Sequence, residues 1–324
     1  LARDRIGVKP LYFAMLPGTL LFASEIKALT AHPGFTRRVE PAALYHYLTF
    51  MTAPAPLTMF RDVFKLPAGC WLEAGPGGTL RSGRWWDALP GPLPQEVSGL
   101  SGPDLERACA QKTLDLVERS VQRRLMSDAP LGLFLSGGLD PAVVLAVMSR
   151  LMDRPVDAFT VGFSDHTHLN ETREAAETAR HFGARHETVF MDERDMTGYL
   201  EELVHSQDEP LADWVCIPLF FLSRAAARSG LKVVLVGEGS DEQFCGYGHY
   251  LDFLRLGRTC WTPFRTLLPG PAQRLAASLA RGLGRLFPDR LALADIVDRA
   301  ARDRELFWSG ATVFWELQKA RLLP

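Results

Sequence analysis

Residues Leu131 to Arg150 read LGLFLSGGLDPAVVLAVMSR, and this stretch predicts how the chain around it folds. Its first residues, 131–135, are apolar and predict a buried strand. Apolar residues return at helical spacing after Pro141, whose missing N–H is tolerated where a helix starts, so a helix is predicted over 141–152. Ser136 to Asp140 lie between them. Glycines let a backbone approach an oxyanion closely, and the free N–H groups at a helix start attract phosphate, so this turn is typical of a phosphate-binding loop.

The loop differs from the two commonest phosphate-binding motifs. No Gly-Lys-Ser/Thr follows it, which excludes a Walker motif, and it lacks the G-x-G-x-x-G spacing of dinucleotide-binding folds. Ser136 adds a hydroxyl donor, and Asp140 is a candidate ligand for Mg²⁺. An ordinary strand-to-helix turn is the alternative that this stretch alone leaves open.

A second loop of the same kind follows another apolar segment. Lys232 to Val236, KVVLV, predicts a buried strand, and it runs directly into Gly237 to Glu242, GEGSDE. Ligands of open α/β sheets bind beyond the carboxyl ends of the strands, so both loops should face one crevice if the strands are parallel. Asp140 and Asp241 are then expected to converge on one cation.

The rest of the chain predicts an α/β fold with a mostly parallel sheet, because strand and helix patterns alternate. Asn170 is predicted to cap a helix that ends at Gly183. Residues beyond about 250 read as helices. The other predicted elements are strands at 157–162 and 186–190 and helices at 104–126, about 195–206 and 217–229.

Composition excludes several classes of protein. The 324 residues include 36 basic and 38 acidic side chains, which gives no electrostatic reason to expect a nucleic-acid partner. No apolar run reaches the roughly 18 residues of a membrane span, and the N-terminus does not read as a signal peptide. The five cysteines form no C-x-x-C pair, which favours a reducing cytoplasm over a disulfide framework or zinc site. The chain begins without Met, so we expect it to be part of a longer protein.

Five stretches of the chain resemble one family, the glutamine-dependent asparagine synthetases of the ATP-pyrophosphatase type. The resemblance runs from the first residue to about Tyr250, with the motifs in the family's order. The stretches are SGGLD at 136–140, GEGSDE at 237–242, DEPLADWVCIP at 208–218, and the glutaminase-like pair LARDRIGVKPLYF at 1–13 and FASEIKAL at 22–29.

The resemblance implies a fold and a domain order. Residues 1–88 would be the C-terminal part of an N-terminal-nucleophile glutamine amidotransferase domain. Residues 89–103, rich in Pro, Gly and Ser, would be a linker. Residues 104–324 would be a parallel-sheet ATP-pyrophosphatase domain like that of asparagine synthetase, which we expect to be truncated at its C-terminus.

The resemblance also implies a reaction. A carboxylate, aspartate or a related acid, would be adenylated by ATP with Mg²⁺, and ammonia derived from glutamine would form the amide, leaving AMP and pyrophosphate. The wider role would be asparagine biosynthesis in the cytoplasm, and a homodimer is one assembly left open. The implied residues are Leu135, Ser136, Gly137, Gly138, Asp140, Val161, Val236 and Gly237 for ATP, Asp140 and Asp241 for Mg²⁺, and Glu238 and Asp241 for catalysis.

Departures from the family pattern leave alternatives open. Pro141 and Ala142 replace two serines of the first loop, so we expect a ligase that is slow, altered or inactive, and a degenerate ATP-binding homologue is one alternative. The family's catalytic N-terminal Cys is not in this sequence, so the chain is expected to use free ammonia rather than hydrolyse glutamine. Lys319, the only lysine beyond Tyr250, does not match the family's later lysine motif and is predicted to be a solvated helix residue.

The acceptor is open for a separate reason. Aspartate-using members carry a Thr- and Arg-rich segment where Leu211, Trp214, Val215 and Cys216 are mainly apolar, so a natural-product or peptide-like carboxylate is the alternative acceptor. Other ATP-pyrophosphatases, such as NAD synthetase or argininosuccinate synthetase relatives, lack the glutaminase-like segments. That domain order disfavours them.

Overall fold

The computed structural model of the chain describes residues 1–92, 94–307 and 312–323. Leu93 of the predicted linker, and residues 308–311 and 324 of the predicted second domain, lie outside the described residues. The chain divides into two compact units. The first unit is Leu1–Leu89 with Val204–Asp213 and Tyr247–Pro324, and the second is Pro90–Leu203 with Trp214–Gly246.

The described residues contain strands and helices in the following order. The strands are β1 Tyr12–Leu16, β2 Thr19–Ala23, β3 Val63–Lys65, β4 Cys70–Ala74, β5 Leu80–Arg84, β6 Leu131–Phe134, β7 Asp157–Phe163, β8 Arg185–Met191 and β9 Val233–Leu235. The helices are α1 Ile26–Leu29, α2 Pro41–Phe50, α3 Gly102–Arg124, α4 Leu139–Leu151, α5 Thr172–His181, α6 Glu193–Ser206, α7 Cys216–Arg228, α8 Ser240–Phe244, α9 Gly248–Leu256, α10 Thr262–Leu267, α11 Gly270–Leu286, α12 Leu291–Ala301 and α13 Glu316–Leu322. Among these helices, none is long and apolar enough for a membrane span.

The first unit contains the glutaminase-like segments in antiparallel sheets. Strands β2, β1 and β3 form one sheet in that order, and β4 pairs with β5 in another. Ile26 and Leu29 of α1 are buried against this first sheet together with Ala14 and Val63. Ile26 and Leu29 therefore anchor the family-like stretch 22–29 in the core of this unit.

The second unit is an open α/β sheet. Its strands lie in the order β8, β7, β6, β9, and every neighbouring pair is parallel. Leu133 packs in a core with Leu145 of α4, whereas Phe134 packs with Leu222 of α7. Because successive strand residues point to opposite faces of a sheet, helices cover both faces. The predicted α/β class with a parallel sheet is confirmed.

The start of α5 differs from the prediction. Asn170 does not cap this helix, because its side chain is bonded to strand β7: its Oδ1 accepts the Phe163 N–H at 2.6 Å, and its Nδ2 donates to the Phe163 carbonyl at 3.0 Å. Glu171 is the residue that precedes the first helical turn. The predicted end is correct, since Gly183 follows the helix at a φ of +67°.

Lys319 was expected to be solvated, and this expectation is wrong. Its side chain is 1% exposed, and its Nζ lies 2.8 Å from Glu316 Oε1. The ammonium also lies 3.6 Å from the ring centroid of Tyr45, and the Tyr45 hydroxyl donates to Glu316. Burial of a lysine is tolerated here because a carboxylate and an aromatic face compensate its charge.

Candidate active site

The two glycine-rich loops lie side by side in the second unit. Strands β6 and β9 pair in parallel, with Leu133 opposite Leu235, and each loop begins just beyond the carboxyl end of its strand. Gly237 is so close to Pro141 that a Cβ atom at position 237 would lie 2.6 Å from the Pro141 nitrogen. The expectation that both loops occupy one edge of the sheet is confirmed.

The first loop is shorter than the sequence predicts, because α4 begins at Leu139 rather than at Pro141. Pro141 is therefore the third residue of the helix. The first four N–H groups of a helix have no intrahelical acceptor, so a proline is tolerated at this position without loss of a helical hydrogen bond. Within the loop, the Gly138 N–H donates to Ser136 Oγ at 3.1 Å.

A buried hydrogen-bond chain fixes the end of β6. The Leu135 N–H donates to the Phe159 carbonyl at 2.8 Å, and the Leu135 carbonyl accepts the Thr160 hydroxyl at 2.6 Å. His186 Nε2 lies 2.7 Å from the same Thr160 oxygen. Because the single hydroxyl proton goes to Leu135, the imidazole must donate its Nε2–H to Thr160. Burial lowers the pKa of His186 below its ordinary value of 6.5, which favours the neutral ring.

A cavity of about 400 Å³ opens beside the two loops. Its loop side is polar, and the rest of its wall is mainly apolar. Most of the predicted ATP-binding residues are among the residues that line it. The lining residues are Phe134, Leu135, Ser136, Pro141, Thr160, Val161, Phe163, Leu169, Glu171, Trp214, Val215, Pro218, Leu219, Leu222, Val236, Gly237 and Glu238.

Four predicted site residues do not line this cavity, namely Gly137, Gly138, Asp140 and Asp241. Asp140 is the second residue of α4. Its carbonyl carbon lies close to Gly237, since a Cβ added at position 237 would be 2.9 Å from that carbon. Asp241 is the second residue of α8, and its carboxylate is turned toward Gly246, where a Cβ would collide with it.

The described residues form no cluster of three or more His, Cys, Asp and Glu side chains arranged to hold a metal ion. Mg²⁺ requires fewer protein ligands than that, because one or two carboxylates normally share it with substrate phosphates and waters. Asp140 and Asp241 provide hard oxygen donors of the right kind, one from each loop. Their chemistry therefore fits the predicted ion.

Sequence reasoning missed Glu171, whose carboxylate is hydrogen-bonded to the first loop. Its Oε2 accepts the Gly137 N–H at 2.9 Å, and the side chain lines the cavity beside Ser136. A signal for it was available, because β7 lies next to β6 and the segment after Phe163 therefore begins at the same edge of the sheet.

The DEPLADWVCIP segment divides between two roles. In the first unit, Asp208 accepts the backbone N–H groups of Ile26 and Lys27 at 2.6 and 3.1 Å, so it anchors the start of α1. Glu209 Oε2 lies 3.1 Å from Lys65 Nζ, and burial raises the pKa of this carboxyl. In the second unit, Trp214 lines the cavity, with its ring centroid 6.5 Å from that of Phe163.

Comparison with known proteins agrees with this arrangement. A family model described as asparagine synthase matches residues 112–319, and a model of the glutamine amidotransferase domain matches residues 1–86. The first match contains both glycine-rich loops. The second contains the antiparallel sheets and α1.

Individual relatives extend the comparison. A Mycobacterium tuberculosis protein, provisionally named a glutamine-hydrolyzing asparagine synthetase, is 31% identical over 328 residues, covering 100% of this chain and 47% of the relative. Glutamine-hydrolyzing asparagine synthetase 1 of Bacillus subtilis is 28% identical over 323 residues, covering 99% of this chain and 48% of the relative. Amidase chyE of Penicillium rubens is 29% identical over 260 residues, covering 76% of this chain and 37% of the relative. The chain thus spans about half the length of the first two relatives.

Proposed function

The chain belongs to the asparagine synthase family, and from this premise we propose that it is part of an ATP-dependent amide-forming ligase. The enzyme would adenylate a small carboxylate, aspartate or a related acid, and would transfer ammonia derived from glutamine to it. The observation that supports this most is the contact of Gly237 with Pro141, because it brings the two family loops together beside one cavity.

The nucleotide would occupy the loop side of the cavity. Leu135, Val161 and the Val236-Gly237 backbone would form an apolar border for the adenosine. The first three residues of the loop would supply hydroxyl and N–H donors for the phosphates. These donors are the Ser136 hydroxyl and the backbone N–H groups near Gly137 and Gly138. Asp140 and Asp241 would hold Mg²⁺, which when bound neutralises charge on the phosphates.

The chemistry has two steps. An oxygen of the acceptor carboxylate attacks the α-phosphorus of ATP, the bond to the pyrophosphate oxygen breaks, and an acyl-adenylate and pyrophosphate result. Ammonia then attacks the acyl carbon, the nitrogen loses a proton, and AMP leaves with the bonding electrons. Glu238, which lines the cavity, is proposed to orient the nucleophile or to accept that proton.

The composition of the cavity wall is relevant to the alternative acceptor, a natural-product or peptide-like carboxylate. The charged side chains among the described lining residues are the two glutamates, Glu171 and Glu238. Aspartate retains a second carboxylate, which is costly to desolvate without a cation or several donors. Trp214, Val215 and Leu219 instead offer an apolar and aromatic surface, which suits an acid with an apolar body.

The test is pyrophosphate release from Mg-ATP by the full-length protein, with ammonia supplied and aspartate compared with apolar, aromatic and peptide-like carboxylates. Release that depends on one carboxylate supports the ligase. Dependence on aspartate alone overturns the apolar-acceptor alternative. ATP binding without release from any carboxylate supports the degenerate homologue instead. A cytoplasmic location and a homodimeric state remain predictions.

A further inference from the structure

The first loop is in contact with a carboxylate of its own chain. Glu171 Oε2 accepts the Gly137 N–H at 2.9 Å, and the Glu171 side chain lies in the wall of the cavity next to Ser136. Gly137 is one of the residues whose N–H is proposed to bind ATP phosphates. A carboxylate and a phosphate oxygen are both anionic acceptors, and one N–H donor that points at one of them is not available to the other.

The surrounding structure places Glu171 at this position. Asn170, its neighbour, is held to the end of β7 by two hydrogen bonds to Phe163. On its other side, Ala175 and Ala179 of α5 are fully buried in the core. Residue 171 is therefore fixed between two anchored segments, although its side chain is exposed to solvent in the cleft.

Gly137 is also packed tightly against this helix start. A Cβ atom at position 137 would lie 3.1 Å from the Glu171 Cβ and 3.0 Å from the Glu174 Cβ. Such distances are shorter than ordinary carbon contacts of 3.5–4.0 Å. A glycine at 137 thus allows the start of α5 to pack against the loop. This packing places the Glu171 carboxylate within hydrogen-bonding distance of the Gly137 N–H.

From this contact we propose that Glu171 is a built-in competitor for the phosphate site of the first loop, an inference that rests on the proposed ATP-binding function. The Glu171 carboxylate leaves the Gly137 N–H when a phosphate group binds there, and it returns when pyrophosphate departs. Phosphate binding is therefore weakened by the cost of displacing Glu171 and by repulsion between the two anions. The same competition favours product release.

Inorganic pyrophosphate is the direct probe, because it lacks the adenosine that would add affinity elsewhere. Its dissociation constant is measured by calorimetry, with and without Mg²⁺, for the full chain and for Glu171→Gln and Glu171→Ala. Both substitutions remove the charge and leave the anchoring residues intact. We expect each variant to bind pyrophosphate roughly tenfold more tightly than the unaltered chain. Thermal melts establish that the variants remain folded.

Glu174→Gln is the matched control. It removes the same charge from the start of the same helix, and the Gly137 and Gly138 N–H groups donate to Glu171 and Ser136 rather than to Glu174. If Glu174→Gln tightens binding as much as Glu171→Gln does, general electrostatics explain the effect and the proposal is wrong. Unchanged or weaker pyrophosphate binding by both Glu171 variants also overturns it. If neither pyrophosphate nor Mg-ATP binds to any of the proteins, both this proposal and the proposed ATP-binding function are wrong.

Discussion

Gly237 lies in the loop after β9 and Pro141 lies in the first turn of α4, yet their backbones are in contact. A side chain at position 237 would place its Cβ 2.6 Å from the Pro141 nitrogen and 2.8 Å from its Cδ. Neither of these atoms is the end of a flexible side chain, so the clash could be relieved only by moving one loop. The spacing of the two loops is therefore set by the absence of a Cβ at 237.

We predict that Gly237→Ala separates the loops. Overpacking of this kind costs typically 1–3 kcal/mol, so the urea midpoint should fall and ATP binding should weaken. Gly198→Ala is the control, because Gly198 lies inside α6 and its added Cβ would meet no atom within 4 Å apart from its chain neighbours and the backbone of its own helix. That substitution should leave binding unchanged and stabilise the helix by up to about 1 kcal/mol. Equal urea midpoints and equal ATP affinities for the two variants would show that the position of the loops does not depend on the contact between Gly237 and Pro141.

Pro141, in the first turn of α4, is the basis of a second prediction. Pro141→Ser with Ala142→Ser introduces one backbone N–H and two hydroxyls near the proposed phosphate site. In enzymes with an oxyanion hole, loss of a single such donor costs about 2.7–4 kcal/mol of transition-state stabilisation. Pyrophosphate release should rise by roughly tenfold or more. Pro141→Ala is the partial control, since it restores the N–H alone. A double variant no faster than the unaltered chain would contradict the idea that these donors limit the rate.

The third prediction concerns pH. Burial lowers the pKa of His186 below 6.5 in the folded chain, so below that pH the unfolded chain binds more protons than the folded chain. This contribution to stability is fully present above about pH 6.5 and is lost as the pH falls toward the folded-state pKa. His186→Gln keeps a donor for Thr160 but cannot titrate. Urea midpoints measured from pH 8 to pH 5 should therefore decline less steeply for this variant than for the unaltered chain. If the two proteins lose stability in parallel, His186 is excluded as a source of the pH dependence.

The buried lysine predicts a large effect on stability. Lys319→Met leaves the Glu316 carboxylate without its closest cation, and breaking a buried pair from one side costs about 3–5 kcal/mol. The double variant with Glu316→Gln should recover part of that loss. Lys112→Met removes the exposed pair with Glu96 and should cost about 0–1 kcal/mol. Similar unfolding midpoints for Lys319→Met and Lys112→Met would mean that the buried pair contributes little.

Periodicity predicted the sheet that carries the site. Strands such as β6 and β9 are short apolar runs bounded by glycine-rich turns, and the observed helices start and end within about two residues of the predicted bounds. Their parallel order also followed from the alternation of strand and helix. The strand and helix bounds depend on local residue patterns, and the parallel order depends on the repeated βα pattern. Both can therefore be predicted from the sequence alone.

Contacts between distant or differently ordered segments were not predictable in this way. Asn170 reads as a helix cap because Asn is favoured there, but its amide instead matches the two backbone groups of Phe163. Glu171 looks like any acidic residue at a helix start. Lys319 looks solvated because its burial depends on Tyr45, far away in the sequence. In each case the deciding partner lies in another segment, and only for Glu171 does the order of the strands in the sheet provide a signal.

Adenylation of a carboxylate is tested most directly by isotope transfer. The carboxylate that supports pyrophosphate release is labelled with ¹⁸O in both oxygens and incubated with the full-length protein, Mg-ATP and ammonia, and the products are examined by phosphorus NMR and mass spectrometry. Attack of the carboxylate on the α-phosphorus predicts one ¹⁸O in AMP for each amide formed. Amide formation with ¹⁸O in inorganic phosphate, or with no label in AMP, would contradict it.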